Sequence, residues 1–396
     1  MLLFFDNAWH VFAAFIIFFL GILIATVQRK ALLLPSYLSI NLYFFHSLLC
    51  IVYYLYSLSN PADSTRYFLS SISYEGGISS GTWGVIYFTS IFSNNLGLSY
   101  GNVFLIANLL GYLGLLGLAS SFMQVTTFSN RRARQLFMLV LFLPSVSFWS
   151  SGLGKDSLTF MASGLLCWGI LDARRRVFIF VIAVLLYLLA RPHIAGIFLI
   201  SLAFPAVILS RTSLSQKIIL SCFLFPFALA GILVGLSYAG LGEASDLSDV
   251  GDYIEKRQGY NLGGGSSIDI ASMPLPVQLF TYLFRPLPLE VGGVFGLISG
   301  LENMFLIGLF LYFIRNAIYG RSILPAFPRY FLIIFSGTTL VILALTTANL
   351  GIALRQKWMF MPMLLLLGFS YVPRSAYARY QEQVRRFQHR RVRHFP

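Results

Sequence analysis

Long runs of uninterrupted apolar residues constrain this chain more than any other feature. Several of them extend 14 to 23 residues without the polar alternation a barrel strand needs. In hydrocarbon every backbone N–H and C=O must be satisfied within the protein, so segments of this kind span as α-helices. A soluble chain cannot bury this many such runs. With 57% hydrophobic and 11% charged residues in 396, the composition agrees. The expected fold class is all-α, a polytopic transmembrane helical bundle.

Spans are expected at 9–27, 37–57, 100–122, 135–150, 157–171, 177–190, 194–209, 218–238, 291–314, 330–348 and 358–371. The shorter run 82–97 is broken by Gly84, Ser93, Asn94 and Asn95 and reads as a re-entrant or interfacial helix. This gives one membrane domain over 1–372, two long loops at 58–99 and 239–290, and a basic tail over 373–396. Cys50, Cys167 and Cys222 lie inside apolar runs without CxxC spacing, so they read as core residues and not as a disulfide or zinc framework.

Charge supplies the orientation. Asp6 precedes the first run while Arg29 and Lys30 follow it, the reverse of a secretory signal, so that run reads as a retained helix with its N-terminus outside. Eleven crossings then put 20 of the 28 Lys and Arg residues inside, and leave Arg66, Lys155, Arg191, Lys256, Arg257, Arg285, Arg355 and Lys357 outside. The net charge of +14 is therefore a sorting signal and points to no nucleic-acid partner. The tail reads as an anchor on anionic lipid. In the second long loop, Glu243, Asp246, Asp249, Asp252 and Glu255 recur every third residue ahead of a glycine-rich stretch, which reads as a solvated segment and a lid; no calcium-loop motif is present.

Cations held outside against the sorting bias call for an anionic ligand. At 1.5 Å per residue the spans 135–150, 157–171 and 177–190 reach only about 21 to 24 Å, short of the hydrocarbon thickness. Their outer ends are expected below the membrane surface, where Lys155, Asp156, Arg191 and His193 line a recess suited to an anionic head on a lipid tail. Asp156 also suits the first turn of a helix, and Arg191-Pro192-His193 also reads as an ordinary hairpin with a snorkelling arginine. Arg355 offers a planar fork for phosphate oxygens and Lys357 a second charge. Asp63 and Arg66 are spaced to pair on one helical turn beside Tyr67. Glu302, inside an apolar run, is a functional candidate by position alone.

The set PSVSFWSSGLGKDS, ARPH, FRPLPLE followed by SGLEN, and NLGIALRQK followed by Pro362 resembles the oligosaccharide repeat-unit polymerases of bacterial surface-polysaccharide clusters, the O-antigen and exopolysaccharide polymerases of the Wzy type. The chain departs from better-known members in lacking one large loop rich in arginine–glycine motifs. The resemblance implies transfer of a growing glycan from undecaprenyl diphosphate to a lipid-linked repeat unit at the outer face of the bacterial cytoplasmic membrane. It implies Arg191 and Arg355 on the diphosphate and His193 as base; Asp156 and Asp63 are further catalytic candidates from their positions alone. Lys155, Lys357, Arg285, Arg66 and Glu302 complete the substrate-binding set. No cofactor or metal is expected; a flippase or chain-length regulator of the same pathway is the expected partner.

Two other classes remain open. A membrane-integral glycosyltransferase of the C class would use a polyprenyl-monophosphate sugar with Asp63 as base. A lipid-linked oligosaccharide flippase would carry internal repeats and discontinuous helices, and no repeat is found. The Rossmann fingerprint, Walker A motif and HExxH are absent, so nucleotide-driven chemistry and zinc proteolysis have no support.

Overall fold

The computed structural model describes residues 2–392 except 128, 210–212, 220, 223–225, 227–228, 230–266 and 271. The acidic repeat, the glycine-rich stretch, Lys256, Arg257 and most of the expected span 218–238 lie outside the described residues. Helices dominate: α1 (Ala8–Val27), α2 (Arg29–Leu32), α3 (Ser36–Ser59), α4 (Asp63–Ser71), α5 (Gly81–Ser93), α6 (Tyr100–Thr126), α7 (Arg131–Leu141), α8 (Pro144–Ser151), α9 (Lys155–Gly169), α10 (Val177–Ala190) and α11 (Pro192–Ile208). After the undescribed stretch come α12 (Leu275–Phe284), α13 (Gly293–Tyr319), α14 (Ala326–Thr346), α15 (Leu350–Gln356), α16 (Met361–Ser370) and α17 (Arg374–Val392). Strands β1 (Gly320–Ser322) and β2 (Tyr371–Pro373) pair antiparallel, tying the end of α13 to the end of α16.

Among the described residues six helices are long and apolar enough to cross a membrane: α1, α3, α6, α7 with α8, α13 and α14. A seventh is the pair α15 and α16 taken as one span, bent by 57° at its break. The chain is thus an α-helical membrane protein. Helices α10, α11 and α12 are apolar but run only 14, 17 and 10 residues. The expected span 135–150 starts earlier, at Arg131, where Asn130 caps α7, and breaks ahead of Pro144, whose ring disfavours helical backbone in the preceding residue. Helix α12 falls in a stretch expected to be loop. Cys50 and Cys167 are buried, but Cys222 is exposed and so not the core residue its apolar run suggested.

Helix α6 forms the centre: 78% of its apolar window is buried in protein, against 28% for α1, which faces outward. Ser99 starts it with a capping box, its hydroxyl accepting from the Asn102 N–H while the Asn102 side chain accepts from the Ser99 N–H. Small residues then let α9 approach it closely. A Cβ on Gly114 would sit 2.6 Å from the Phe160 carbonyl, one on Gly117 2.6 Å from the Gly164 carbonyl, and one on Gly164 would run into the Gly114 carbonyl. Without a hydrophobic drive between helices in lipid, such backbone contact is a main source of packing energy. This seam fixes the height of α9 and hence of Lys155 and Asp156 at its first turn.

Candidate functional site

The ends of five helices meet around one carboxylate. Asp156 stands in the first turn of α9, where the helix dipole favours its charge. Its Oδ1 accepts from the Arg191 guanidinium at 3.0 Å. Its Oδ2 lies 2.9 Å from Arg355 Nε, an ion pair in which the N–H is not aligned for a hydrogen bond. Arg355 also donates from its terminal nitrogen to Asp63 Oδ2 at 2.9 Å. Asp63 in turn faces Arg66 at 3.8 Å, and Arg66 lies over the Tyr67 ring, 5.7 Å from its centroid. The result is a chain of alternating charge, Arg191, Asp156, Arg355, Asp63, Arg66.

Local structure explains how residues so distant in sequence converge. Arg191 is the junction residue between α10 and α11, its backbone held by the Tyr187 carbonyl. Asp63 opens α4, which is fixed to α3 and α6 by the Tyr100 hydroxyl, 2.9 Å from Ser57 Oγ and donating to Ser64 Oγ at 3.0 Å. Arg355 closes α15, which Asn349 caps by accepting from the Ile352 N–H. Lys155 projects to α5, donating to Thr82 Oγ1 at 2.9 Å. Helix α5 can receive it because Gly84 lets its backbone rest on the Leu189 carbonyl of α10.

The chain of charge runs from buried to open. Side-chain exposure is 8% at Arg191, 13% at Asp156, 21% at Arg355, 39% at Asp63 and 61% at Arg66. Arg191 therefore is no snorkelling anchor; it is held in the protein interior by its carboxylate. Burial opposes ionisation of Asp63, but Arg355, Arg66 and Lys155 outweigh it and hold the carboxyl below its ordinary value of 3.8. Burial, with Asp63 adding to it, pushes the Tyr67 phenol up to about 12. Three arginines against two aspartates leave a positive balance, with Lys155 acting on Asp63 as well.

His193 occupies the first turn of α11, half-buried and two residues from Arg191. Lys357 and Glu302 take a different place. Lys357 is 1% exposed, donating to Asn303 Oδ1 at 2.6 Å and to the Leu283 carbonyl at 3.4 Å. Glu302 is buried and accepts from the Ser145 N–H at the start of α8, 2.9 Å away. Arg285 pairs with Glu290 in its own turn at 3.1 Å. Sequence reasoning missed Thr82, Asn303 and the tyrosines Tyr53 and Tyr282, which lie within electrostatic reach of Asp156. The Tyr282 hydroxyl and Arg191 Nε are buried with no hydrogen-bond partner among the described residues. Nothing in an apolar run marks one tyrosine as facing a charge. Among the described residues no three His, Cys, Asp or Glu side chains gather as a metal group would require.

No family model, no curated protein and no solved structure matches the chain.

Proposed function

We propose that this chain is a membrane glycan polymerase, transferring a growing polyprenyl-diphosphate-linked glycan to a lipid-linked repeat unit at the outer face of the bacterial cytoplasmic membrane. The observation that carries the reading is the arginine-rich chain of charge around Asp156, gathered at the ends of helices too short to reach a full bilayer width. A diphosphate is a leaving group that departs as an anion, and preorganised planar cations stabilise it as charge develops. Arg191 and Arg355 supply those forks. Asp156, shared between them, sets their spacing before substrate arrives, while Lys155 and Arg66 extend the positive balance towards the open end.

In the proposed step the acceptor hydroxyl oxygen attacks the anomeric carbon, the bond from that carbon to the diphosphate oxygen breaks, and the hydroxyl proton passes to His193. His193 is assigned this role because it stands in the first turn of α11, two residues from Arg191, and imidazole is a common general base. Asp63 suits it less, since its neighbours hold it below the usual carboxylate range and so weaken it as a base. Its part is to orient Arg355. The reading keeps eleven crossings, with the N-terminus outside and the C-terminal helix α17 on cytoplasmic anionic lipid, and a flippase or chain-length regulator as neighbours in the pathway.

The test is the ladder of lipid-linked glycan from a deletion strain complemented with variants. His193→Ala is expected to leave single repeat units, a loss of about 10²- to 10⁴-fold in rate. Normal ladders from His193→Ala together with none from Asp63→Ala would favour the monophosphate-sugar transferase.

A further inference from the structure

We infer that Lys357 is a positioning residue, a buried peg whose bond to Asn303 sets the rotation of the helical turn that presents Arg355 to Asp156 and Asp63. This rests on the reading of Arg355 as a substrate-holding cation, but its geometry stands apart from that reading. Residues two apart on a helical turn point in roughly opposite directions. Arg355 and Lys357 are so spaced, and they are anchored on opposite sides of their turn. Arg355 reaches Asp63 and Asp156, each at 2.9 Å. Lys357 reaches Asn303 of α13 at 2.6 Å and the Leu283 carbonyl of α12. Two opposed anchors hold the turn from both sides.

The surroundings show why this turn needs fixing. It closes the helical stretch Leu350–Met359, where the Lys357 N–H still bonds the Ala353 carbonyl, and the 57° break follows at Phe360, so α16 beyond the bend does not extend this helix to support it. The far end of the peg is itself secured. The Asn303 amide donates to the Pro286 carbonyl at 2.9 Å, and the adjacent Glu302 accepts from the Ser145 N–H at the start of α8. Helix α8 leads directly to the turn before Lys155 and Asp156. One buried polar brace therefore reaches both sides of the Arg355 to Asp156 contact. A lysine this deeply buried touches no bulk solvent, and a substrate-binding role at the open end does not account for its partners.

Three variants test this. Lys357→Met keeps the stem and removes both hydrogen bonds, but it also takes away the cation within electrostatic reach of the buried Glu302 and is expected to lower stability for that reason. Asn303→Ala cuts the same bond from the other side, and Asn303→Asp keeps the acceptor for Lys357 while giving up the amide that donates to the Pro286 carbonyl. The first readout is phenylglyoxal labelling of each arginine in detergent-purified protein, followed by mass spectrometry. In the unmodified protein Arg355 is expected to react more slowly than Arg66. In Lys357→Met and in Asn303→Ala it is expected to rise to the rate of Arg66, with Arg191 unchanged, while Asn303→Asp stays as the unmodified protein. The second readout is the glycan ladder, expected to fall about 100-fold in the two cut variants, the scale of a 1 Å misplacement, and to recover in Asn303→Asp. Protection of Arg355 in a folded cut variant overturns the peg. If Lys357→Met does not fold, the Asn303 pair carries the test. Released labelling of Arg355 with a normal ladder would uphold the peg and overturn the substrate role of Arg355 instead.

Discussion

Asp156→Asn changes one oxygen to an amide and creates no cavity, yet it removes the anion that two guanidinium groups share. At 2.9 and 3.0 Å from its partners, and with an effective dielectric near 20, each contact has a gross attraction of about 5 kcal/mol. Desolvation of the three groups cancels much of this in the intact protein. The variant recovers little of that cost, because Arg191 remains buried and loses its only ion-pair partner among the described residues, whereas Arg355 keeps Asp63. Breaking a buried pair by removing one member costs about 3 to 5 kcal/mol, and we expect the lower end, about 3 kcal/mol, since Arg355 is partly compensated. The assay is thermal unfolding of the purified protein in detergent, with Arg66→Gln as the exposed-charge control, expected to cost no more than about 1 kcal/mol. Adding inorganic diphosphate supplies the missing anion. It should raise the Asp156→Asn midpoint more than that of the unmodified protein, by an amount set by mass action. An Asp156→Asn protein within about 0.5 kcal/mol of the unmodified one would refute the view that this carboxylate organises the site.

Gly164→Leu is expected to prevent close approach of α9 to α6, costing about 1 to 3 kcal/mol or more by overpacking, while Gly77→Ala, where an added Cβ meets nothing within 4 Å, serves as the harmless control; unfolding midpoints decide between them. Asp63 has a folded-state value below 3.8, so its ion pairs stabilise the protein fully above that value and lose their effect as pH falls through the lower folded value. The stability difference between the unmodified protein and Asp63→Asn should accordingly be largest near neutrality and vanish in acid; a difference independent of pH would contradict the pairing. Reporter fusions after Arg176 and after Lys217 should report cytoplasm and a fusion within 263–267 the outside, and a cytoplasmic signal from the last would remove the basis for an outer-face site.

The five charges of the site were visible in the sequence because they stand in short polar stretches between apolar runs, which the expected topology puts on the side that cation sorting depletes. Their connectivity was not. Asp63 and Arg355 lie 292 positions apart, and they become neighbours because α4 packs on α3 and α5 while α15 packs on α8 and α12. Spacing along one helix did reveal the local pair of Asp63 and Arg66. Lys357 shows the opposite case, since charge alone suggested an exposed ligand and its burial depends on Asn303 and Leu283, which no pattern in their own runs distinguishes. The seam of Gly114, Gly117 and Gly164 was equally hidden, because a glycine in an apolar run is as compatible with a lipid face as with a helix crossing. Strands β1 and β2 are three residues each, too short for alternation to register.

The most direct measurement is the reaction itself with purified protein in liposomes and a lipid-linked repeat unit as the sole glycan. Glycans are expected to lengthen without added nucleotide, with one polyprenyl diphosphate released for each repeat unit joined, and both are expected to be lost in Arg191→Lys and Arg355→Lys, which keep charge but not the planar fork. Release of a polyprenyl monophosphate, or chains that lengthen normally in both lysine variants, would contradict the proposed reaction.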